Sequence, residues 1–358
     1  MNHPAIGAAP LPTLLLVPTG IGCDVGGFAG DALPSARLLA AASGCLITHP
    51  NVMNGASLYW SDSRIHYVEG YGLDRFAAGD WSLRPLRSQR IGLLLDAGIE
   101  PELRQRHLQV ADGCRASLGL EIGPVVTTDA ALGVHLELGE SGISWGTLER
   151  PDALLRAGER LKAAGATAIA VVARFPEDAE SEALAAYRHG QGVDALAGAE
   201  AVISHLLVRH LQMPCAHAPA LAPLPLDPQL DPRAAGEELG YTFLACVLVG
   251  LSRAPDLVPA DAGRREGDLQ ADRLGAVVVP DGALGGEAVL AALEQAVPVI
   301  AVANPSLLRV GADALGLPSG SVLTASSYAE AAGLVMALRE GISVASLHRP
   351  IPGLQELS

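Results

Sequence analysis

Short apolar runs alternate with longer amphipathic stretches along most of the chain, and this pattern predicts buried strands that alternate with helices. Apolar residues recur at helical spacing over 151–164, which therefore predicts the clearest helix. Further strands are expected at 13–17, 45–48, 91–96, 124–128, 134–138, 167–173 and 322–324, and further helices at 34–42, 100–117 and 329–339. Such alternation favours right-handed crossovers between parallel strands. The sequence predicts an α/β fold of repeated βαβ units on one mostly parallel sheet.

One short unit occurs three times in the chain. It begins with an acidic residue followed by Ala at a predicted helix start, and it ends with a Pro that closes a strand 18 or 19 residues later. The copies are Asp31-Ala32 with His49-Pro50, Glu200-Ala201 with His217-Ala218-Pro219, and Glu287-Ala288 with Asn304-Pro305. In a parallel sheet, the carboxyl ends of strands and the helix starts that follow them lie on one rim. We therefore expect these pseudo-repeats to bring their strand ends together at one site.

The same pattern divides the chain into three regions. Residues 1–90 are expected to hold the first βαβ unit, 91–225 a central α/β region with the second repeat, and 226–358 the third repeat. Residues 51–80 are rich in turn-forming residues and too long for a simple connection, so they predict a lid-like loop over the site. The aromatic side chains that would cover the site are Tyr59, Trp60 and Tyr71.

The charge balance and the apolar runs exclude whole classes of function. The net charge is −15, and Lys162 is the only lysine among 24 basic residues. Phosphate-backbone binding needs clustered cations, so nucleic acid is not an expected partner. The longest apolar stretch, 241–251, is far shorter than the roughly 20 residues that cross a bilayer, and the N-terminal run lacks the positive charge of a secretory signal. We expect a soluble cytoplasmic protein without a membrane partner.

Two glycine-rich loops each follow a strand and precede a helix, an arrangement that presents backbone N–H groups to an anion. The glycines concerned are Gly22, Gly26 and Gly27 in the first loop and Gly285 and Gly286 in the second. Neither loop has the spacing of a dinucleotide fingerprint or a P-loop lysine. No nucleotide cofactor is predicted, and a carboxylate or phosphate of the substrate is the expected ligand. The alternative is that the glycines only allow tight turns.

The repeated acids have two interpretations. In the first helical turn, Asp31, Glu200 and Glu287 would offset the helix macrodipole. Gathered on one rim together with Asp24, they would instead bind substrate, with Asp24 as an orienting or basic carboxylate. Crowded carboxylates also hold divalent cations in many proteins, so such a cation stays open.

The histidines at the strand ends are the sharper candidates for catalysis. His49 and His217 each end a buried strand, where α/β folds place catalytic groups, and we expect them to carry protons. Cys215 lies two residues before His217 and faces the same way, and a thiolate beside an imidazolium is an activated nucleophile. The expected hydrogen-bonding partners of the substrate are Asn51, Asn54 and Asn304.

The cysteine and histidine spacings predict no metal site. The chain has 5 cysteines, an odd number, without a C-x-x-C pair, which argues against a disulfide framework and a structural zinc site. His205 and His210 are five positions apart and point to different faces of a predicted helix, a spacing that no common zinc motif uses. No metal ligand is assigned, and no cofactor is predicted.

Two resemblances rest on particular residues. The run 214–221, Pro-Cys-Ala-His-Ala-Pro-Ala-Leu, resembles the segment that carries the second cysteine of aspartate/glutamate racemases, and 21–27 is similar to their first glycine-rich loop. The segment with the first cysteine of that family has no counterpart, because Cys45 lies ahead of Thr-His-Pro-Asn. Over its full length the chain resembles a family of cyanobacterial and plastid proteins that is known only as a domain of unknown function. That resemblance implies no activity.

These observations predict an enzyme that acts on a small polar metabolite, expected to bear a carboxylate, by acid–base or nucleophilic chemistry. One alternative, implied by the racemase resemblance, is a cysteine-dependent racemase or isomerase that uses Cys215. Another, from a different class, is a non-catalytic sensor, because the same concave site serves binding as well as catalysis. A small-molecule ligand is the expected partner, and a homo-oligomer stays open. The sequence does not separate these alternatives.

Overall fold

The computed structural model describes residues 9–54, 61–140, 142–177, 181–238, 242–351 and 353–354. The strands are β1 (Thr13–Leu15), β2 (Leu46–Thr48), β3 (Ile65–Tyr67), β4 (Trp81–Arg84), β5 (Ile91–Leu95), β6 (Ile122–Thr127), β7 (Val134–Leu138), β8 (Ser144–Leu148), β9 (Ala168–Arg174), β10 (Cys215–Ala220), β11 (Asp256–Pro259), β12 (Ala276–Pro280), β13 (Val299–Val302) and β14 (Leu323–Ala325). The helices are α1 (Leu33–Ser43), α2 (Pro50–Met53), α3 (Gly70–Ala77), α4 (Pro101–Leu118), α5 (Pro151–Ala163), α6 (Glu182–Arg188), α7 (Ala197–Leu211), α8 (Pro232–Glu238), α9 (Thr242–Leu251), α10 (Glu287–Glu294) and α11 (Tyr328–Arg339).

Two parallel sheets form the centre of the protein. The larger has six strands in the order β14-β13-β12-β1-β2-β3, and the smaller has four in the order β10-β9-β5-β6. Two antiparallel pairs, β7 with β8 and β4 with β11, lie outside these sheets. The predicted α/β fold is confirmed, but the parallel strands are divided between two sheets where the sequence predicted one.

The side chains of the strands and helices explain which of their faces are buried. β5 and β9 carry nearly continuous apolar runs and are buried along almost their whole length, which is typical of parallel strands with both faces covered. α5 turns its apolar stripe inward, with Leu154, Ala157 and Leu161 buried. Helix α7 packs against α5 and β10, and Gly158 of α5 allows close contact because a Cβ there would lie 2.7 Å from Leu207 Cδ2.

The first and third regions of the chain share one sheet. β1, β2 and β3 come from the first region and β12, β13 and β14 from the third, and β1 pairs directly with β12. The central region forms the four-stranded sheet. Strand pairing therefore joins the first and third regions in one sheet, whereas the division of the chain into three regions stays a prediction.

The described part of residues 51–80 belongs to the body of the fold. It contains most of α2, β3 and α3, and β3 forms the edge of the six-stranded sheet beside β2. α3 begins after Glu69, whose carboxylate accepts a hydrogen bond from Tyr71 N at 2.9 Å and so caps the helix. The predicted lid-like loop is wrong for these residues, since a strand paired into the sheet cannot open as a loop. Tyr59 and Trp60 lie outside the described residues.

The first glycine-rich loop, 20–27, is fixed by side chains from distant parts of the chain. Asn304 Oδ1 accepts a hydrogen bond from Val25 N at 2.9 Å, and Asn304 Nδ2 donates to Val25 O at 2.7 Å. Gly26 N donates to Asp31 Oδ1 at 2.5 Å. These two backbone N–H groups are already bonded within the protein, so they do not form the predicted anion cradle. The tight-turn interpretation describes them better.

We expect Gly26→Ala to destabilise the fold more than Gly79→Ala. Both glycines have positive φ, +92° and +83°, and a non-glycine residue there costs about 1–2 kcal/mol. A Cβ on Gly26 would also lie 2.1 Å from Val17 Cγ1, whereas one on Gly79 would meet nothing within 4 Å. Overpacking adds about 1–3 kcal/mol, so the free energies of unfolding of the two variants, measured in urea, should differ by that amount. Equal losses would show that Val17 moves aside without cost.

Candidate functional site

A cavity of about 690 Å³ lies between the two parallel sheets. Leu16 and Val279 border it from the six-stranded sheet and its strand ends, and His217 and Pro219 border it from β10 of the other sheet. The first turns of α3, α7 and α10 complete much of the wall, and most of the other lining side chains are apolar. The volume is within the roughly 300–1,000 Å³ that is typical of small-molecule sites.

Helix α7 and the residues before it supply most of the polar groups of the cavity. Glu200 and Ser204 lie one helical turn apart on the same face of α7, and Asp194 lies in the segment that leads into the helix. The start of α7 packs tightly on β8. The backbones are so close at Gly198 that a Cβ there would lie 2.3 Å from Trp145 Cα. This contact fixes the position of α7, and with it the position of its polar side chains.

Both ring nitrogens of His217 face groups of α7. A short hydrogen bond joins Nδ1 to Ser204 Oγ, and Nε2 lies 3.5 Å from Glu200 Oε2. The side chains of His217 and Glu200 are 12% and 17% exposed. The bond to Ser204 orients the ring, whereas 3.5 Å is too long for a strong hydrogen bond and leaves Nε2 available to a ligand. Glu200 therefore places a carboxylate beside this nitrogen.

Three carboxyl groups influence one another across the cavity. Burial, together with the charge of Glu200, raises the pKa of Asp194 to about 7. Burial, together with the charge of Asp194, raises the pKa of Glu237 well above its usual range. Tyr187 donates its hydroxyl proton to Glu237 Oε2 at 2.6 Å. Within the described ranges no lysine or arginine pairs with these carboxyls, and the hydrogen bonds that favour their charged forms offset only part of their burial and repulsion.

A second histidine of α7 pairs with the cap of α3. His205 Nε2 lies 2.9 Å from Glu69 Oε1, and the Glu69 side chain is only 5% exposed. Burial alone would lower the pKa of His205, but the hydrogen bond to Glu69 and the charge of Asp74 outweigh burial and raise it. Glu69 and Asp74 therefore favour the protonated form of His205.

His49 also borders the cavity, but its ring is held differently. Nε2 accepts a hydrogen bond from Val17 N at 2.9 Å, which places the proton of the neutral ring on Nδ1. Burial lowers the pKa of His49 to about 4. The ring is therefore neutral at pH 7 and is a hydrogen-bond donor rather than a base, which does not favour the predicted role in proton transfer.

The structure brings some predicted site residues together and leaves others apart. The predicted residues that line the cavity are His49, His217, Asn51, Asn54, Glu200 and Gly286. Those absent from the described cavity wall are Asp24, Cys215, Asn304, Gly22, Gly26, Gly27, Gly285 and Glu287. The Asn304 amide is 3% exposed and is bonded to Val25 and Tyr328, and Glu287 is paired with Arg75. The histidines of the first two repeats border the cavity. Asn304 of the third repeat instead holds the first glycine-rich loop in place through Val25.

Cys215 is a buried thiol and Asp24 is a surface residue. Cys215 is 1% exposed, and its Sγ donates to Met213 O at 3.4 Å. Burial raises the pKa of Cys215 well above its usual range, so a thiolate beside His217 is not supported. Asp24 is exposed, and its carbonyl oxygen accepts a hydrogen bond from Arg233 at 3.0 Å. It does not orient His217.

The sequence leaves open whether a divalent cation is bound, and the described residues provide no set of ligands for one. Among them, no group of three or more His, Cys, Asp and Glu side chains has the arrangement to hold a metal ion.

The sequence did not single out several polar residues of the cavity, among them Ser204, Glu69, Asp194 and Glu237. A signal existed for Ser204, which lies four positions after Glu200 on a helix and so shares its face. Glu69 also gave a signal, because it immediately precedes a helix and caps it. Asp194 and Glu237 lie in polar stretches without a distinguishing pattern, and only tertiary packing places them in the cavity.

We expect Asp194→Asn to stabilise the fold at alkaline pH. The pKa of Asp194 is about 7 in the folded protein and about 3.9 in an unfolded chain, so between these values the folded state binds the extra proton and wild-type stability falls as pH rises. Asparagine does not titrate. In urea titrations, the variant should exceed the wild type by on the order of 1–2 kcal/mol at pH 8 and show no gain at pH 4.

The control is Asp313→Asn, which alters an exposed carboxylate and should change stability little at either pH. An Asp194→Asn protein that is no more stable than the wild type at pH 8 would contradict the pKa assigned to Asp194.

Comparison with known proteins identifies a relative over nearly the whole length. The chain is 55% identical over 349 residues to a protein named "Uncharacterized lipoprotein syc1174_c" from Synechococcus sp. (strain ATCC 27144 / PCC 6301 / SAUG 1402/1). The aligned region covers 97% of this chain and 95% of the relative. No solved structure matches the chain.

The name of this relative corrects the expected location. A lipoprotein is anchored to a membrane by its lipid, and the relative carries that name, so the expectation of a cytoplasmic protein is wrong. Among the described helices, none alone is long and apolar enough to cross a membrane. The pair Pro232–Glu238 and Phe243–Leu251, bent by 75°, satisfies length and composition only when both are counted together.

The family of the chain is shown by the match to a family model. The model described as "Protein of unknown function (DUF3326)" matches residues 12–348. Together with the relative in Synechococcus, this confirms the predicted resemblance to an uncharacterised cyanobacterial family. The chain belongs to the DUF3326 family.

Proposed function

We propose that the protein is an enzyme that binds a small molecule in the cavity between its sheets and transfers a proton through His217. The observation that supports this most directly is the placement of His217, with Nδ1 bonded to Ser204 and Nε2 only 3.5 Å from Glu200 Oε2. One ring nitrogen is used for orientation, and the other faces a carboxylate on the wall of a cavity of suitable size. A positioned histidine of this kind is the usual general acid or base of an enzyme.

The neighbouring carboxyls have separate roles in this proposal. Glu200 stabilises the protonated ring of His217, because an opposite charge nearby favours the charged form. Asp194 has a pKa of about 7, so near neutral pH it both donates and accepts protons, which suits a second proton carrier. Neither role requires a thiolate, and the buried Cys215 thiol gives the racemase alternative no support.

The test is turnover of small molecules by variants with matched controls. Purified full-length protein is incubated with a cyanobacterial small-molecule extract, and compounds consumed or formed are followed by mass spectrometry. We expect His217→Gln to slow the change by on the order of a hundredfold or more, the usual contribution of a positioned acid or base. His135→Gln is the control, because His135 also pairs with a glutamate, Glu149, at 2.8 Å but lies outside the described cavity wall.

The other outcomes of this experiment are informative. Cys215→Ser should keep turnover within about tenfold of the wild type, and a larger loss would revive the cysteine-dependent alternative. Unchanged turnover in His217→Gln would exclude His217 as the proton carrier. Retention of an extract component without any chemical change, in the wild type as in the variants, would favour the non-catalytic sensor.

The lipoprotein name of the relative raises the question of where a lipid would be attached in this chain. We propose that Cys23, the cysteine nearest the N-terminus, is not that site. Cys23 is 4% exposed, its Sγ donates to Pro18 O at 3.7 Å, and β1 before it lies inside the six-stranded sheet. Labelling with an alkyne-tagged fatty acid should therefore be unaffected by Cys23→Ser, and loss of label in that variant would contradict the proposal.

A further inference from the structure

We infer that the cavity takes an organic cation, an amine attached to an apolar body. This inference rests on the proposed function, since it names the class of molecule that the same cavity binds. It also departs from the expected carboxylate-bearing metabolite, because the described cavity wall contains seven carboxyl side chains and no lysine or arginine. A bound carboxylate would meet repulsion there, whereas an ammonium group would meet attraction.

The carboxyls that remain available are gathered at one part of the wall. Several acidic side chains of the cavity already have cationic partners, for example Glu177 with Arg174 at 2.8 Å and Glu238 with Arg188 at 2.9 Å. Asp194, Glu200 and Glu237 have no such arginine or lysine partner in the described structure, and the charge of Glu200 raises the pKa of both Asp194 and Glu237. A cation bound among them would favour the charged forms of Asp194 and Glu237, whose pKa values are raised.

Two hydroxyl groups provide independent support for a polar ligand in this cavity. Ser144 Oγ and Thr19 Oγ1 both border the cavity, and neither has a hydrogen-bond partner. Ser144 is only 6% exposed, and buried hydroxyls normally have a partner. A Cβ on Gly20 would lie 2.7 Å from Ser144 Oγ and 3.7 Å from Asp194 O, so both atoms border the space beside Gly20. The lone pairs of these hydroxyls suit the N–H groups of an ammonium.

The remaining walls suit an apolar body rather than a bare metal ion. Leu73, Leu184, Phe243 and Val289 border the cavity, as do many other apolar side chains. A hydrated divalent ion prefers a shell of oxygen ligands, and the described residues contain no metal-binding group. An amine with an attached hydrocarbon group uses both the carboxyl cluster and the apolar walls.

The test compares three probes of nearly equal shape and different charge. Full-length protein at pH 7.5 is titrated calorimetrically with 4-phenylbutylamine, 4-phenyl-1-butanol and 4-phenylbutyrate. We expect the amine to bind at least about tenfold more tightly than the alcohol, because a hydrogen bond to a charged group contributes about that factor or more. The carboxylate should bind most weakly.

Variants locate the binding of the amine. Asp194→Asn and Glu237→Gln should each weaken amine binding by about tenfold and leave alcohol binding nearly unchanged. Glu149→Gln, which alters an exposed carboxylate outside the described cavity wall, should change neither affinity. Ser144→Ala removes only a hydroxyl without a partner, so it should keep the fold and weaken amine binding a few-fold. Circular dichroism and thermal unfolding verify that each variant is folded.

Several results would overturn the inference. They are absence of amine binding at millimolar concentration, equal or tighter binding of 4-phenylbutyrate, and amine affinity that is unchanged in both carboxyl variants. A metal site would be identified instead if the amine does not bind, while calcium chloride binds and its affinity falls in the same two carboxyl variants. Amine binding without turnover defeats only the proposed enzyme, and turnover without amine binding defeats only this inference.

Discussion

The close packing of α7 on β8 is the contact on which the cavity depends. A Cβ on Gly146 would lie 2.4 Å from Ala199 Cβ, and one on Gly198 would lie 2.3 Å from Trp145 Cα. Because no larger side chain fits between these backbones, the first turns of α7 are held against the antiparallel pair of β7 and β8. Glu200 is thereby fixed opposite β10 of the neighbouring sheet. A shift of α7 along β8 would move Ser204 and Glu200 away from the ring of His217.

The carboxyl cluster is unfavourable for folding and is retained by the rest of the structure. Asp194 and Glu237 are held where burial and mutual repulsion raise their pKa values, so keeping them charged reduces stability. On the same helix, His205 and Glu69 show the opposite arrangement, in which a buried carboxylate pairs with a histidine whose pKa is raised. The protein thus compensates charge on one wall and leaves it uncompensated on another. Strain of this kind is typical of functional sites.

Local patterns in the sequence predicted the elements better than their arrangement. The helix expected at 151–164 is α5, and Glu200 lies in the first turn of α7 as predicted, because these features depend on neighbouring residues. His217 was expected to end its strand, but it lies within β10, which continues to Ala220. The division of the strands into two sheets depends on long-range pairing, which periodicity does not report. For the same reason Asn304, which follows the strand pattern of the histidines, was assigned to the site although it holds the loop at Val25.

The two histidines show how one sequence motif acquires two roles. His49 and His217 are both followed by proline at or near a strand end, and both border the cavity. Val17 N donates to Nε2 of His49 and fixes that ring as neutral, whereas Nε2 of His217 faces a carboxylate. The difference comes from the partner that the fold supplies and not from the histidine or its sequence neighbours. A repeat therefore identifies equivalent positions, but the hydrogen-bond partner of each position determines its chemistry.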